Sequence, residues 1–277
     1  MTTFPALKRI QETRPLVHCI SNIVSANDCA NLLLAIGASP MMAEAPAEMI
    51  EITQLADATV LNTGTPSNAK YEACSICGRE SAAQKKPVVL DPVGVGTSSW
   101  RLFHAGALLE AFRPDIVRVN LGEAKALLRY LTETQHSMPC GDPFRAGRAS
   151  DPSPATEQGV DSVLRTTAED RAETAMQLAK TLQTVVLLSG PEDIVSDGAR
   201  AERIGGGSDR MTLVTGSGCM LSCLCGAFLA VSDDAFRAAA EASAFWKYCA
   251  ALAEEASGGR RLSANLLLDA AAELANN

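Results

Sequence analysis

A chain of 277 residues with a formal net charge of -8 is poorly matched to nucleic acid, whose phosphates call for a basic face. Its residues are 47% hydrophobic and 4% aromatic, and no apolar run approaches the roughly 20 residues of a membrane span, so no membrane partner is expected. The length holds a large α/β domain over 1–277, and a core of Ala, Leu, Val and Ile suits helices packed on a sheet.

Residues 1–11 carry charges and lack the apolar core of a secretory signal, which points to a cytoplasmic protein. The nine cysteines, an odd number, fit reduced thiols rather than a disulfide frame. Cys74 and Cys77 have CxxC spacing, but no second such pair follows and the chain has three histidines, His18, His104 and His136. Cys74 and Cys77 read as i, i+3 neighbours facing the core of one helix, and Cys223 and Cys225 also read as core-facing on one helix.

Short β-branched runs alternate with longer helical periods. Residues 15–20 predict a strand. Ser25 starts a helix, with Asp28 three residues on as in a capping box, and Gly37 ends it. A short strand over 39–43 precedes a helix that Pro46 opens. Strands follow over 58–62, 87–91 and 115–119, with helices over 66–84, 102–112 and 121–131 between and after them. The stretch 132–159 holds four prolines and three glycines and reads as an inserted loop. A helix over 167–182 and a strand over 185–189 restore the rhythm. Short strands are expected at 194–196, 200–204 and 211–214, then three helices over 217–231, 234–256 and 263–274. Repeated strand–helix units imply a largely parallel sheet covered on both faces, with ligands at the carboxyl ends of its strands.

Those ends are polar in succession. The first carries His18, Ser21 and Asn22, and the third Asn62-Thr63-Gly64-Thr65. The fourth carries Asp91-Pro92-Val93-Gly94-Val95-Gly96. The fifth carries Arg118-Val119-Asn120 with Glu123 a turn later, and the sixth Ser189-Gly190. Acids, an arginine and glycine turns at one edge suit a phosphate with Mg²⁺: Asp91 and Glu123 serve the metal directly or through water, and Arg118 pairs a phosphate with its planar fork. Taken singly, Asp91 also reads as a helix cap, Arg118 as a salt-bridge partner and Glu123 as a solvated first-turn acid. Val214-Thr215-Gly216-Ser217-Gly218-Cys219-Met220 completes the edge. Its glycines admit a close ligand, the helix start presents free N–H groups to an anion, and Cys219 falls where a helix dipole favours a thiolate. No GxxxxGK[ST] and no GxGxxG after the first strand is present, which argues against a P-loop or a dinucleotide site.

These blocks resemble hydroxyethylthiazole kinase, of the ribokinase-like superfamily. Pro15 through Asn22, Gly37-Ala38-Ser39-Pro40-Met41-Met42-Ala43, Leu61 through Thr65, Asp91 through Gly96 and Thr215 through Met220 carry the likeness. The resemblance implies a three-layer α/β sandwich and transfer of the γ-phosphoryl of ATP, with Mg²⁺, to the primary alcohol of 4-methyl-5-(2-hydroxyethyl)thiazole. It also implies a homotrimer with active sites between subunits. By resemblance Met42, Gly216, Asn62 and Gly64 serve the thiazole, Arg118, Ser189 and Asn22 the ATP, and Asp91 and Glu123 the metal. Cys219, with Gly216, Ser217 and Gly218, forms the catalytic turn, where the thiol is a modest base or a positioning group. Ser189-Gly190-Pro191 departs from the family's usual Thr-Gly-Glu: the hydroxyl stays, while an acid and a backbone donor are lost. A hydroxymethylpyrimidine kinase and a non-catalytic nucleotide-binding relative are the alternatives.

Overall fold

The computed structural model describes residues 4–134 and 167–276. The charged opening segment, which the sequence reading leaves unassigned, forms helix α1 (Pro5–Thr13), with Pro5 at its first position and Ala6, Leu7 and Ile10 buried. Strands β1 (Leu16–Ile20), β2 (Ser39–Met41), β3 (Ala58–Asn62), β4 (Val88–Asp91), β5 (Ile116–Asn120), β6 (Val185–Ser189), β7 (Asp193–Ser196) and β8 (Ala201–Ile204) build one sheet. Its order is β2-β1-β3-β4-β5-β6-β7-β8. The first six strands run parallel, and β7 and β8 return antiparallel at one edge.

Nine further helices among the described residues cover it: α2 (Ala26–Ala35), α3 (Met49–Leu55), α4 (Asn68–Gln84), α5 (Ser99–Ala111), α6 (Leu121–Thr134), α7 (Ala168–Leu182), α8 (Ser217–Ala230), α9 (Ala235–Ser257) and α10 (Ala264–Asn276). None is long and apolar enough to cross a membrane. Alternation along the strands makes two cores. Val17, Val60, Val89, Ile116 and Leu187 face α1, α2 and α8–α10, while Ile20, Leu61, Leu90, Val117 and Leu188 face α3–α7. Helix α8 is buried from Cys219 through Leu229. Cys74 and Cys77 face the core from α4, and Cys223 and Cys225 from α8.

Several local expectations are corrected. Ser25 does not cap α2 through its side chain; its hydroxyl donates instead to Asn22 O at 3.4 Å, so no capping box forms with Asp28. Helix α4 starts at Asn68 because Ser67 Oγ accepts from Lys70 N, and α5 starts at Ser99 because Ser98 Oγ accepts from Arg101 N. The strand expected over 211–214 is a 3₁₀ turn, Asp209–Leu213, capped by Ser208, so β8 is the edge strand. A local serine cap outcompetes a four-residue alternation that finds no partner strand. Of the insertion expected over 132–159, residues 132–134 close α6, and the rest lies outside the described residues.

Candidate active site

Strands β3 and β4 end in register, with Asn62 opposite Asp91. The Asp91 carboxylate is fully buried. Its Oδ2 accepts from Asn62 Nδ2 at 2.8 Å and from Ser222 Oγ of α8 at 2.6 Å, and its Oδ1 lies 3.7 Å from Arg118 Nη1. Burial pushes the Asp91 carboxyl above its ordinary range, while Arg118 and the two donors hold it back. Arg118 leaves β5 on the α8 side, and its Nη2 donates to Ser189 Oγ at the end of β6, at 2.7 Å. Asp91 Oδ1 and Arg118 Nε are buried without a hydrogen-bond partner, and two such atoms side by side at a strand end suit a water, an ion or a ligand that meets them.

Glu123 is no solvated acid. It is buried in the first turn of α6, where Oε1 accepts from Gly94 N at 2.7 Å and Oε2 from Asn120 N at 2.8 Å. Asn120 Oδ1 accepts from Glu123 N in return, at 2.9 Å. The acid therefore ties the Asp91–Gly94 turn to the end of β5. Burial, reinforced by the Asp91 charge and opposed by Arg118, pushes its pKa up to about 7. Arg118 is indeed an ion-pair partner, and its partner is Asp91.

The glycine turn meets this cluster from above. Gly216 has φ +84°, and a Cβ there would fall 2.5 Å from Ser25 Cβ. At Gly218 a Cβ would fall 2.4 Å from Arg118 Nη2, so the first turn of α8 rests on the guanidinium. Cys219 corrects the expectation of a thiolate. Burial first, then the Asp91 charge, pushes its thiol up to about 11, against weaker opposing contributions from Ser25 and Arg118. One helix start does not outweigh burial beside a carboxylate. Asn22 Nδ2 lies 4.0 Å from the sulfur, and Asn22 packs on Gly64, where a Cβ would sit 2.5 Å from that same nitrogen. Gly64 N donates to Asn62 Oδ1 at 2.9 Å. Met42 is half-buried against the α8-side core. The Ser217 hydroxyl donates to Met211 O at 3.3 Å, which anchors the turn. His18 points away from the cluster, its Nε2 2.9 Å from Ala43 O, and burial lowers its pKa.

The Ser189-Gly190-Pro191 turn is held by side chains that the sequence reading passes over. Lys247 Nζ donates to Gly190 O at 2.7 Å and Pro191 O at 3.0 Å, and Arg171 Nη2 donates to Glu192 O at 2.9 Å. Buried Asp193 accepts from Gly190 N at 2.8 Å and Ser243 Oγ at 2.9 Å. The turn that contains Pro191 is thus fixed by charges on three elements. Ser222 was within reach of the sequence, since it lies one helical turn beyond Gly218 on the same face. Arg171, Asp193, Ser243 and Lys247 carry no local signal.

A family model described as the hydroxyethylthiazole kinase family matches residues 7–136 and 152–277. The chain belongs to that family. It is 41% identical over 254 residues to a hydroxyethylthiazole kinase of Listeria monocytogenes serotype 4a (strain HCC23), covering 92% of this chain and 85% of that protein. Among solved structures, the hydroxyethylthiazole kinase of Pyrococcus horikoshii OT3 matches with a TM-score of 0.78 and 31% identity, over 98% of this chain and 91% of that one. A ribokinase-like superfamily protein from Enterococcus faecalis V583 shares the fold at 12% identity and a TM-score of 0.59, over 99% and 94% of the two chains. The hydroxyethylthiazole kinase resemblance, the ribokinase-like α/β sandwich and the phosphotransferase class read from the sequence are therefore established. The two matched segments leave out 137–151, which falls inside the expected insertion.

Proposed function

We propose that the strand-end cluster carries the family's reaction, passing the γ-phosphoryl of ATP to the primary alcohol of 4-methyl-5-(2-hydroxyethyl)thiazole in thiamine salvage. The observation that supports this reading is the buried series Asp91–Arg118–Ser189, pressed against Gly218 at the start of α8. In it Asp91 fixes the guanidinium, and Ser189 sets its tilt toward the nucleotide. Arg118 and the N–H groups of Gly218 and Cys219 then stabilise negative charge on the transferring group. Asn22 packs on Gly64 and so borders the alcohol with Met42, Asn62, Gly64 and Gly216, rather than serving the ATP as the resemblance implies.

Mg²⁺ is the metal expected with ATP, and it neutralises phosphate charge when bound. The residues fit it. Asp91 Oδ1 has no hydrogen-bond partner, and Glu123 offers a second hard-oxygen carboxylate. Among the described residues no group of three or more His, Cys, Asp or Glu is arranged to hold a metal alone. A cation riding on phosphates needs one or two carboxylates. With its proton held to about pH 11, Cys219 acts as a positioning group and not as a base; loose phosphoryl transfer asks for placement more than deprotonation.

The assembly fits a homotrimer with sites between subunits, since Ile23, Val24 and Leu213 expose apolar side chains beside Asn22 and Gly216. The eight described cysteines are free, in keeping with a cytoplasmic protein. The test is Mg²⁺-dependent ADP release with hydroxyethylthiazole or a hydroxymethylpyrimidine as acceptor. Release with the thiazole alone meets the proposal. Release with the pyrimidine alone, or with neither despite bound ATP, overturns it.

A further inference from the structure

Lys70 lies in the first turn of α4, where a lysine is ordinarily solvated, yet it is 4% exposed. Its Nζ donates to Ser21 O at 2.5 Å, to Gly64 O at 3.1 Å and to Thr65 Oγ1 at 3.4 Å. An ammonium has three protons, and these three acceptors use them all. Glu44, more than half exposed, stands 3.4 Å away and is the nearest countercharge. Withdrawing a cation from water is costly unless its partners replace the lost hydration. Here they come from two separate loops, one leaving β1 and one leaving β3.

The first of those loops reaches Cys219, and the second packs against the first. Asn22 follows Ser21 and packs on Gly64 with no room for a Cβ between them, and its Nδ2 is 4.0 Å from the Cys219 sulfur. Thr65 holds φ +48°, an uncommon conformation for a β-branched residue, and its Oγ1 also accepts from Ile23 N at 3.2 Å. Strained backbone of this kind persists where its surroundings over-determine it. The strand order reverses between β1 and β3, which is where open parallel sheets seat their ligands. Lys247 and Arg171 hold the β6–β7 turn on the opposite side of Arg118, so the two sides are fixed by different cations.

We propose that Lys70 is a positioning residue for the acceptor alcohol: its ammonium fixes the Asn22 loop against the Gly64 loop and so sets the width of the acceptor pocket, with no part in seating the nucleotide. The inference rests on the kinase reading above and assigns Lys70 to one side of that site.

The test is Lys70→Met in the full chain, which keeps length and apolar stem but removes the three donors. Hydrogen exchange should quicken at 21–24 and 63–65 and stay unchanged at 189–193. In steady-state assays the KM for hydroxyethylthiazole should rise on the order of tenfold, the scale of one or two lost buried hydrogen bonds, while the KM for ATP stays within about twofold. Glu44→Gln should stay near wild type, because its carboxylate is largely solvated. Unchanged exchange in the two loops overturns the proposal, and so does a parallel rise in both KM values, which marks general destabilisation. A wild type that ignores the thiazole would sink the kinase reading, and the exchange result would still decide whether Lys70 fixes the loops. If Lys70→Met does not fold, Thr65→Val removes one of the two acceptors that Lys70 meets on the second loop, together with the Ile23 N bond between the loops. A several-fold rise in acceptor KM then supports the proposal, and wild-type kinetics overturn it.

Discussion

Asp91 and Arg118 form a charge pair inside the sheet, and removing one member should cost more than removing both. At 3.7 Å and an effective dielectric of about 20, their attraction is about 4 kcal/mol. Asp91→Asn leaves the guanidinium buried without its countercharge, a loss of about 3–5 kcal/mol. At about 2–4 °C per kcal/mol for a chain of this size, Tm should fall on the order of 10 °C. Arg118→Met should cost less, since Asn62 and Ser222 still donate to Asp91. The double variant Asp91→Asn/Arg118→Met should regain most of the loss, because uncharged groups of similar volume replace a buried pair at little cost. Urea unfolding with an unchanged m-value is the assay. Turnover should fall by about 10²-fold or more in all three variants, so the double variant should be stable but inactive. A double variant whose loss equals the sum of the two single losses would show that the charges are not coupled.

Glu123 gives a pH dependence with a definite sign. Its pKa rises from an ordinary 4.5 to about 7 on folding, so its stabilising contribution is complete below the unfolded value and is lost as pH climbs through 7. The metal-free protein should lose on the order of 3 kcal/mol across that window. Glu123→Gln should flatten the slope of Tm against pH, and an identical slope would count against the burial argument. Cys219→Ser should keep measurable turnover, and wild-type Cys219 should react slowly with iodoacetamide at pH 8. Fast alkylation, or a loss equal to that of Asp91→Ala, would restore the thiolate base. Lys247→Met releases the Gly190 and Pro191 carbonyls and should raise the KM for ATP several-fold while sparing the acceptor KM. The opposite split, measured in the same assay, would refute the division of the site into two sides.

The site was legible where chemistry interrupts an apolar strand. Asn62, Asp91, Arg118 and Ser189 each close or punctuate a β-branched run, and a parallel sheet brings such ends to one edge. Strands β3 and β6 match their expected bounds to the residue for the same reason. Properties that depend on distant burial were not legible. The Cys219 thiol is governed first by enclosure that no local window reveals, and then by Asp91, far along the chain. Lys70, Arg171 and Lys247 look like ordinary helix-surface charges, since most of their partners are backbone carbonyls of loops, which leave no mark on residue type. Ser25 resembles a cap, but the loop before it supplies a competing carbonyl. Helix α1 escaped because its apolar stripe acquires meaning against helices formed by the other end of the chain.

That helix is fastened across almost the whole sequence. Ala6 N donates to Glu241 Oε1 at 2.8 Å, 235 residues away, and Gln11 Nε2 donates to Ala275 O, 264 residues away. During synthesis α1 must therefore wait for α9 and α10, which are made long after it. The sheet face that α8 covers likewise stays bare until α8 is made, long after the strands, with Val17, Val60 and Val89 open to water or to other nascent chains. Closure over such spans delays folding, and an uncovered apolar face invites aggregation in the interval. Protection of the unfinished chain on the ribosome is thus a requirement written into its topology.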